Sequence, residues 1–231
     1  MSLISNSDYP ITINGTSIAL SSSDVAAVAT GPLKYNVYHQ DSNGAIREHT
    51  YNGEWSATKS PTFSAKLSSP LAVISFDDGK EVRVYCVSKA RYLEEWCLSA
   101  GQNEWVFGYL TNSRFRVGDN TRLAAVYCGD GDIRVYAQGN LKTDKMLPHT
   151  SITAVAWYNS AAYILVYCQD DKSNIVTYKW DHGWSSDVIV TGRPEPGKRI
   201  SALKWGDESV KLYYQADDDK IYEHVQSNGK V

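Results

Sequence analysis

Apolar and polar residues alternate with a period close to two along most of this chain. Ile175, Thr177 and Lys179, for example, fall on one side of a predicted strand. The apolar runs are short, rich in β-branched residues and bounded by turn residues such as Asp41-Ser-Asn-Gly44 and Asp217-Asp-Asp219. No run demands a helix.

One signature recurs five times: Asn36-Val-Tyr-His-Gln40, Arg83-Val-Tyr-Cys-Val87, Arg134-Val-Tyr-Ala-Gln138, Leu165-Val-Tyr-Cys-Gln169 and Lys211-Leu-Tyr-Tyr-Gln215. Its tyrosines, Tyr38, Tyr85, Tyr136, Tyr167 and Tyr213, are spaced by 47, 51, 31 and 46 residues. A strand of small residues precedes each: Val25-Ala-Ala-Val28, Leu71-Ala-Val-Ile74, Leu123-Ala-Ala-Val126, Ile152-Thr-Ala-Val155 and Ile200-Ser-Ala-Leu203. The offset from the start of that strand to the tyrosine is 13, 14, 13, 15 and 13 residues, too regular for chance. Small side chains suit the crowded inner strand of a propeller blade. Third strands follow at Ala45–His49, Tyr92–Trp96, Asn174–Tyr178 and Lys220–His224, and a fourth begins near Trp55, Trp105 and Trp184.

The pattern predicts an all-β, five-bladed β-propeller in a single domain over residues 1–231. The blades run over about 24–69, 70–121, 122–150, 151–199 and 200–231, the last completed by residues 9–15. The last repeat ends just after its third strand, so the N-terminal Tyr9-Pro-Ile-Thr-Ile13 is expected to close that blade and cover its edge. The third repeat is short. It predicts a three-stranded blade with Leu141–Met146 as the outer strand.

Composition narrows the partners. The chain is 42% hydrophobic and 21% charged, with a net charge of −3 and no basic run, which argues against nucleic acid. No stretch is long enough to span a membrane. The first ten residues lack the regions of a signal peptide, which points to the cytoplasm; a chain whose leader had been removed would read the same and be secreted. Cys86, Cys97, Cys128 and Cys168 form no C-x-x-C pair and read as small buried hydrophobes, so neither a metal site nor a cofactor is expected.

The unit R-V-Y-x-Q, turn, I-x-E, Gly-Trp-Ser resembles the repeat of the fungal fucose-specific lectins. Arg83, Tyr85, Glu95, Arg134, Gln138, Glu48, Trp184 and Glu223 carry the resemblance, over about residues 24–231. It implies reversible binding of L-fucose or a related sugar between adjacent blades. That family has six blades, and the count of five here departs from it. In such a site an arginine on the second strand donates to sugar oxygens, a glutamate on the third accepts from hydroxyls, and an aromatic covers the apolar face. Carried over repeat by repeat, the second holds Arg83 and Glu95, with Trp105 or a residue of the third blade to stack. The first holds Glu48 with Asn36 in place of arginine, and the last Glu223 with Lys211. The third holds Arg134 without a matching glutamate. The fourth has Leu165 and Thr177 and should hold no such site. Trp184 is a further candidate for stacking. The implied partners are glycans or another small ligand, with oligomerisation a route to avidity.

Structural readings stand beside these. Arg83 and Glu95 can pair as a cross-strand ion pair. Glu48 and Glu223 can be solvated, and the tryptophans and the tyrosine column can be packing. Two other classes remain open. One is an enzyme that positions a hydrophobic metabolite; its acid–base candidates are His39, His49, His149, His182 and His224, and no catalytic motif is present. The other is a protein-interaction scaffold.

Overall fold

The computed structural model describes residues 19–57, 62–139, 146–191, 194–205 and 209–227. Five antiparallel sheets follow one another along the chain. The first holds β1 (Val25–Gly31), β2 (Lys34–Gln40), β3 (Ala45–Asn52) and β4 (Trp55–Ala57), with β5 (Phe63–Ser64) also on β3. The second holds β6 (Ala72–Phe76), β7 (Glu81–Val87), β8 (Leu93–Ser99) and β9 (Val106–Phe107). A single helical turn, α1 (Tyr109–Asn112), follows it. The third pairs β10 (Leu123–Tyr127) with β11 (Ile133–Ala137). The fourth holds β12 (Thr153–Asn159), β13 (Ala161–Gln169), β14 (Ile175–Trp180) and β15 (Trp184–Val190). The fifth holds β16 (Ile200–Trp205), β17 (Ser209–Gln215) and β18 (Ile221–Gln226).

The first strands of the sheets, β1, β6, β10, β12 and β16, pack side by side in that order. This is an all-β propeller, and the small residues of these strands are what let them converge. Period-two alternation then gives every sheet two faces. In β7, Val82, Val84 and Cys86 face back to Ala26, Tyr38 and Ile46 of the first sheet. Tyr85 and Val87 face forward, in one cluster with Leu123 of the third. Two further apolar clusters join the third sheet to the fourth and the fourth to the fifth.

The fifth sheet meets the first differently. Among the described residues no apolar cluster joins them. The forward face of the fifth sheet leaves Trp205 59% and Ile221 77% exposed, and Val25 on the first is 63% exposed. The link is ionic: Arg199 Nη2 lies 3.1 Å from Asp24 Oδ1, while Asp24 Oδ2 accepts from the Leu71 N–H at 3.2 Å. One carboxylate thus ties the starts of the first, second and fifth sheets together.

Several expectations change here. The described part of the third sheet has two strands; the expected outer strand, apart from Met146, lies outside the described residues, as does the closing strand at Tyr9–Ile13. The helical turn α1 was not called for by the sequence pattern. It is held by tertiary contacts, the Thr111 hydroxyl bonding to the Glu95 main chain at 2.8 and 3.0 Å. All four cysteines are free, and Cys97 is only half-buried. Among the described residues no helix is long and apolar enough to cross a membrane.

The turn between β6 and β7 rests on the first sheet. Gly79 there has φ +80°, and a Cβ on it would run into the Thr30 carbonyl. Gly79→Ala should therefore lower unfolding stability by about 2 kcal/mol or more. Urea denaturation checks this, and an unchanged midpoint would contradict the packing of that turn.

Candidate functional site

Cross-strand register places one tyrosine of each second strand opposite one residue of the third: Tyr38 opposite Glu48, Tyr85 opposite Glu95, Tyr213 opposite Glu223, and Tyr167 opposite Thr177. Where the opposite residue is glutamate, the phenol donates to it, at 2.7, 2.9 and 2.6 Å in the first, second and fifth sheets. In the fourth sheet Tyr167 donates instead to Gln226 Oε1 of the fifth, at 2.8 Å. In the third, the Tyr136 hydroxyl is buried and finds no partner among the described residues.

Tyr38, Tyr85 and Tyr167 are fully buried, yet each side chain is also a hydrogen-bond donor. Packing alone therefore does not describe this column. The signal was present in the sequence as a constant step of ten residues from Tyr38 to Glu48, Tyr85 to Glu95 and Tyr213 to Glu223. Burial and the adjacent carboxylate hold the Tyr38 and Tyr85 phenols far above their ordinary range. Burial also raises Glu48, against the hydrogen bonds from Tyr38 and Asn36.

The arginines do not stand where the sequence suggested. Arg83 turns along its own strand to Glu81, with Nη2 2.7 Å from Oε2, and lies over the Phe76 ring at 5.3 Å. Arg134 does the same to Asp132 at 2.9 Å. The expected ion pair between Arg83 and Glu95 is not made, because an acidic residue two positions back on the same face lies closer. Lys211 does reach its glutamate, Glu223, at 3.2 Å, and lies over Trp205 at 4.7 Å. Glu48 is nearly buried and takes Asn36 Nδ2 at 2.9 Å, so it is not a solvated surface residue.

Trp105 and Trp184 serve the preceding sheet, whereas Trp55 packs on Tyr51 of its own. Trp105, from the second, meets Tyr38 of the first edge-on at 5.9 Å and packs on Phe63. It belongs with Asn36 and Glu48, away from Arg83 and Glu95. Trp184, from the fourth, meets Tyr136 of the third edge-on at 6.3 Å. Of the histidine candidates, His39 and His49 bond to each other through their Nε2 atoms at 2.9 Å, on the opposite face of the first sheet from Tyr38 and Glu48.

Glu95 instead lies in a cleft of about 590 Å³ between the second and third sheets. Tyr85, Tyr109, Leu110, Phe115, Arg116 and Asp132 are among the residues that line it. Tyr85 donates to Glu95 Oε1, and the Leu110 N–H donates to Oε2 at 3.0 Å. Each carboxylate oxygen keeps a lone pair for a ligand hydroxyl. Gly108 makes this possible, since a Cβ there would collide with the Glu95 carboxylate. Sequence reasoning missed Tyr109, Phe115 and Arg116, which lie outside the repeat.

The structure thus defines a β-propeller with a polar cleft between its second and third sheets, built on a buried phenol and a carboxylate. The comparisons carry the identification further. The family model described as fungal fucose-specific lectin matches residues 16–146. The fucose-specific lectin of Aleuria aurantia is 32% identical over 219 residues, 89% of this chain and 60% of that protein. That of Aspergillus fumigatus is 30% identical over 227 residues, 84% of this chain and 71% of that protein. The chain thus spans about 60% of the length of the first of these relatives. The solved six-bladed β-propeller of the Aleuria aurantia lectin, described with its fucose recognition mode, aligns at a TM-score of 0.76 with 27% identity, covering 91% of this chain and 77% of that one. The chain belongs to the fungal fucose-specific lectin family.

The raised Glu48 has a pH consequence. Its folded form holds a proton more tightly than the unfolded chain does, so the stability it contributes is present at acid pH and lost as pH rises through its folded pKa. Relative to Glu48→Gln, the wild type should therefore gain stability as pH falls from 7 towards 4. Urea midpoints across that range test this; a relative loss towards acid would contradict it.

Proposed function

We propose that this chain binds fucose or a closely related sugar reversibly, without chemistry, in the cleft between its second and third sheets. The observation that carries the reading is the Glu95 carboxylate, fixed by Tyr85 and the Leu110 N–H at the floor of a cleft flanked by Tyr109, Phe115 and Arg116. Glu95 accepts from sugar hydroxyls, and the Arg116 guanidinium donates to sugar oxygens, a role that Arg83 is turned away from. The aromatic rings cover the apolar face and the methyl group of the sugar. Family membership and the fucose-specific lectins among its relatives support the ligand class.

The same reading takes the fold as a five-bladed propeller. Five inner strands packed side by side and the Arg199–Asp24 pair between the fifth sheet and the first support that count. The six-bladed relative differs by one blade. The remaining sheet junctions are poorer sites. Glu48 is sealed beneath Trp105, Thr177 offers no carboxylate, and the Lys211–Glu223 pair lies on the open face of the fifth sheet. Binding is then essentially monovalent per chain, and avidity requires oligomers.

Calorimetric titration with L-fucose tests the proposal. Saturable binding should weaken about tenfold or more in Glu95→Gln and in Arg116→Ala, each of which removes a charged hydrogen-bond partner. Wild-type affinity in both variants would place the sugar elsewhere, and no binding at millimolar sugar would end the lectin reading.

A further inference from the structure

The cleft between the second and third sheets has two tiers. Its floor is carried by strands: Tyr85, Leu93 and Glu95 are buried, and the Glu95 carboxylate is held by the Tyr85 hydroxyl and the Leu110 N–H. Its rim is built by the connection after β9 on one side and by the turn between β10 and β11 on the other. On that connection Tyr109 is 85% exposed and Phe115 is 56% exposed.

Exposed rings at the mouth of a polar cleft mark a surface that a ligand covers. The main chain beneath them is pinned to β8. The Gly108 N–H donates to the Glu95 carbonyl at 2.8 Å, the Thr111 hydroxyl bonds to the Glu95 main chain on both sides, and the Leu93 N–H donates to the Phe115 carbonyl at 2.9 Å. The rings therefore stand on a fixed platform. Across the rim there is room. A Cβ on Gly131 would meet no non-adjacent atom within 4 Å, and the half-exposed Asp132 carboxylate keeps lone pairs beyond its contact with Arg134 at 2.9 Å. The cleft, at about 590 Å³, is of the size that takes drug-sized ligands, roughly 300–1,000 Å³. A single sugar ring on the floor leaves its outer tier to water.

We propose that the outer tier is a subsite for the sugar to which fucose is linked, so that the cleft takes a fucosylated disaccharide, with Tyr109 as the residue that selects for the second ring. The inference rests on the sugar reading of the same cleft. Phe115 covers the fucose seated on Glu95. Tyr109 stacks on the apolar face of the neighbouring ring, and Asp132 accepts from one of its hydroxyls. Free fucose meets the inner tier and leaves most of the Tyr109 ring in water.

Calorimetry tests this by comparing methyl α-L-fucoside with three disaccharides, in which α-L-fucose is joined to galactose at O2, or to N-acetylglucosamine at O3 or at O6. At least one disaccharide should bind about fivefold more tightly than the methyl fucoside, the worth of one aromatic contact. Tyr109→Ala should bring that ratio below about twofold, and Tyr109→Phe, which keeps the ring, should preserve it. The side chain is exposed, so neither change threatens the fold. Binding of the methyl fucoside as tightly as all three disaccharides would overturn the subsite and leave the sugar reading standing. A disaccharide preference that survives Tyr109→Ala would do the same. No binding of any of the four sugars at millimolar concentration would overturn both.

Discussion

A phenol packed between two sheets must donate its proton to something, and the propeller is organised around how that need is met. Burial makes the Tyr38, Tyr85 and Tyr167 rings contributors to apolar interfaces, while each hydroxyl would cost about 1–3 kcal/mol if left unpaired. The first, second and fifth sheets answer with a glutamate directly across the ladder. That answer brings a carboxylate to the edge of an interface between sheets, where burial would otherwise exclude it. Packing and polar chemistry share one pair of residues, so a change to either affects both.

What differs between interfaces is what the next element lays over the pair. Over Tyr38 and Glu48 it is Trp105 and Phe63, and the carboxylate is sealed in. Over Tyr85 and Glu95 it is the segment around α1, which leaves a cleft and spends one backbone N–H on the carboxylate. Over Tyr213 and Glu223 the described residues place nothing, and the pair stands on an open face beside Lys211. Over Tyr136 it is Trp184, and among the described residues no acid pairs with the phenol. One repeated unit thus yields a closed interface, a polar cleft, an open face and an apolar cavity.

The repeat was legible because its determinants are local: small residues where inner strands crowd, alternation that gives each sheet two faces, and turns that set the hairpins. The tyrosine-to-glutamate step was equally visible, since register turns a fixed sequence distance into a cross-strand pair. Arg83 and Arg134 were misplaced because a side chain of that length chooses among several acids, and Glu81 and Asp132 are nearer than the sequence pattern of the site suggests. Trp105 was assigned to its own sheet, whereas a propeller interface is completed by the following sheet. Tyr109, Phe115 and Arg116 were not seen at all. They belong to a connection that obeys no period, and tertiary contacts bring them to the cleft: Thr111 and Gly108 on Glu95, the Leu93 N–H on the Phe115 carbonyl, and the bridge between Tyr92 and Arg116.

The most direct test of this account is a crystal structure of the chain with L-fucose bound. The account predicts sugar density between the second and third sheets, with a hydroxyl within hydrogen-bond distance of Glu95 and the sugar ring against Tyr109 or Phe115. Density at any other sheet junction, with that cleft empty at saturating sugar, would contradict it.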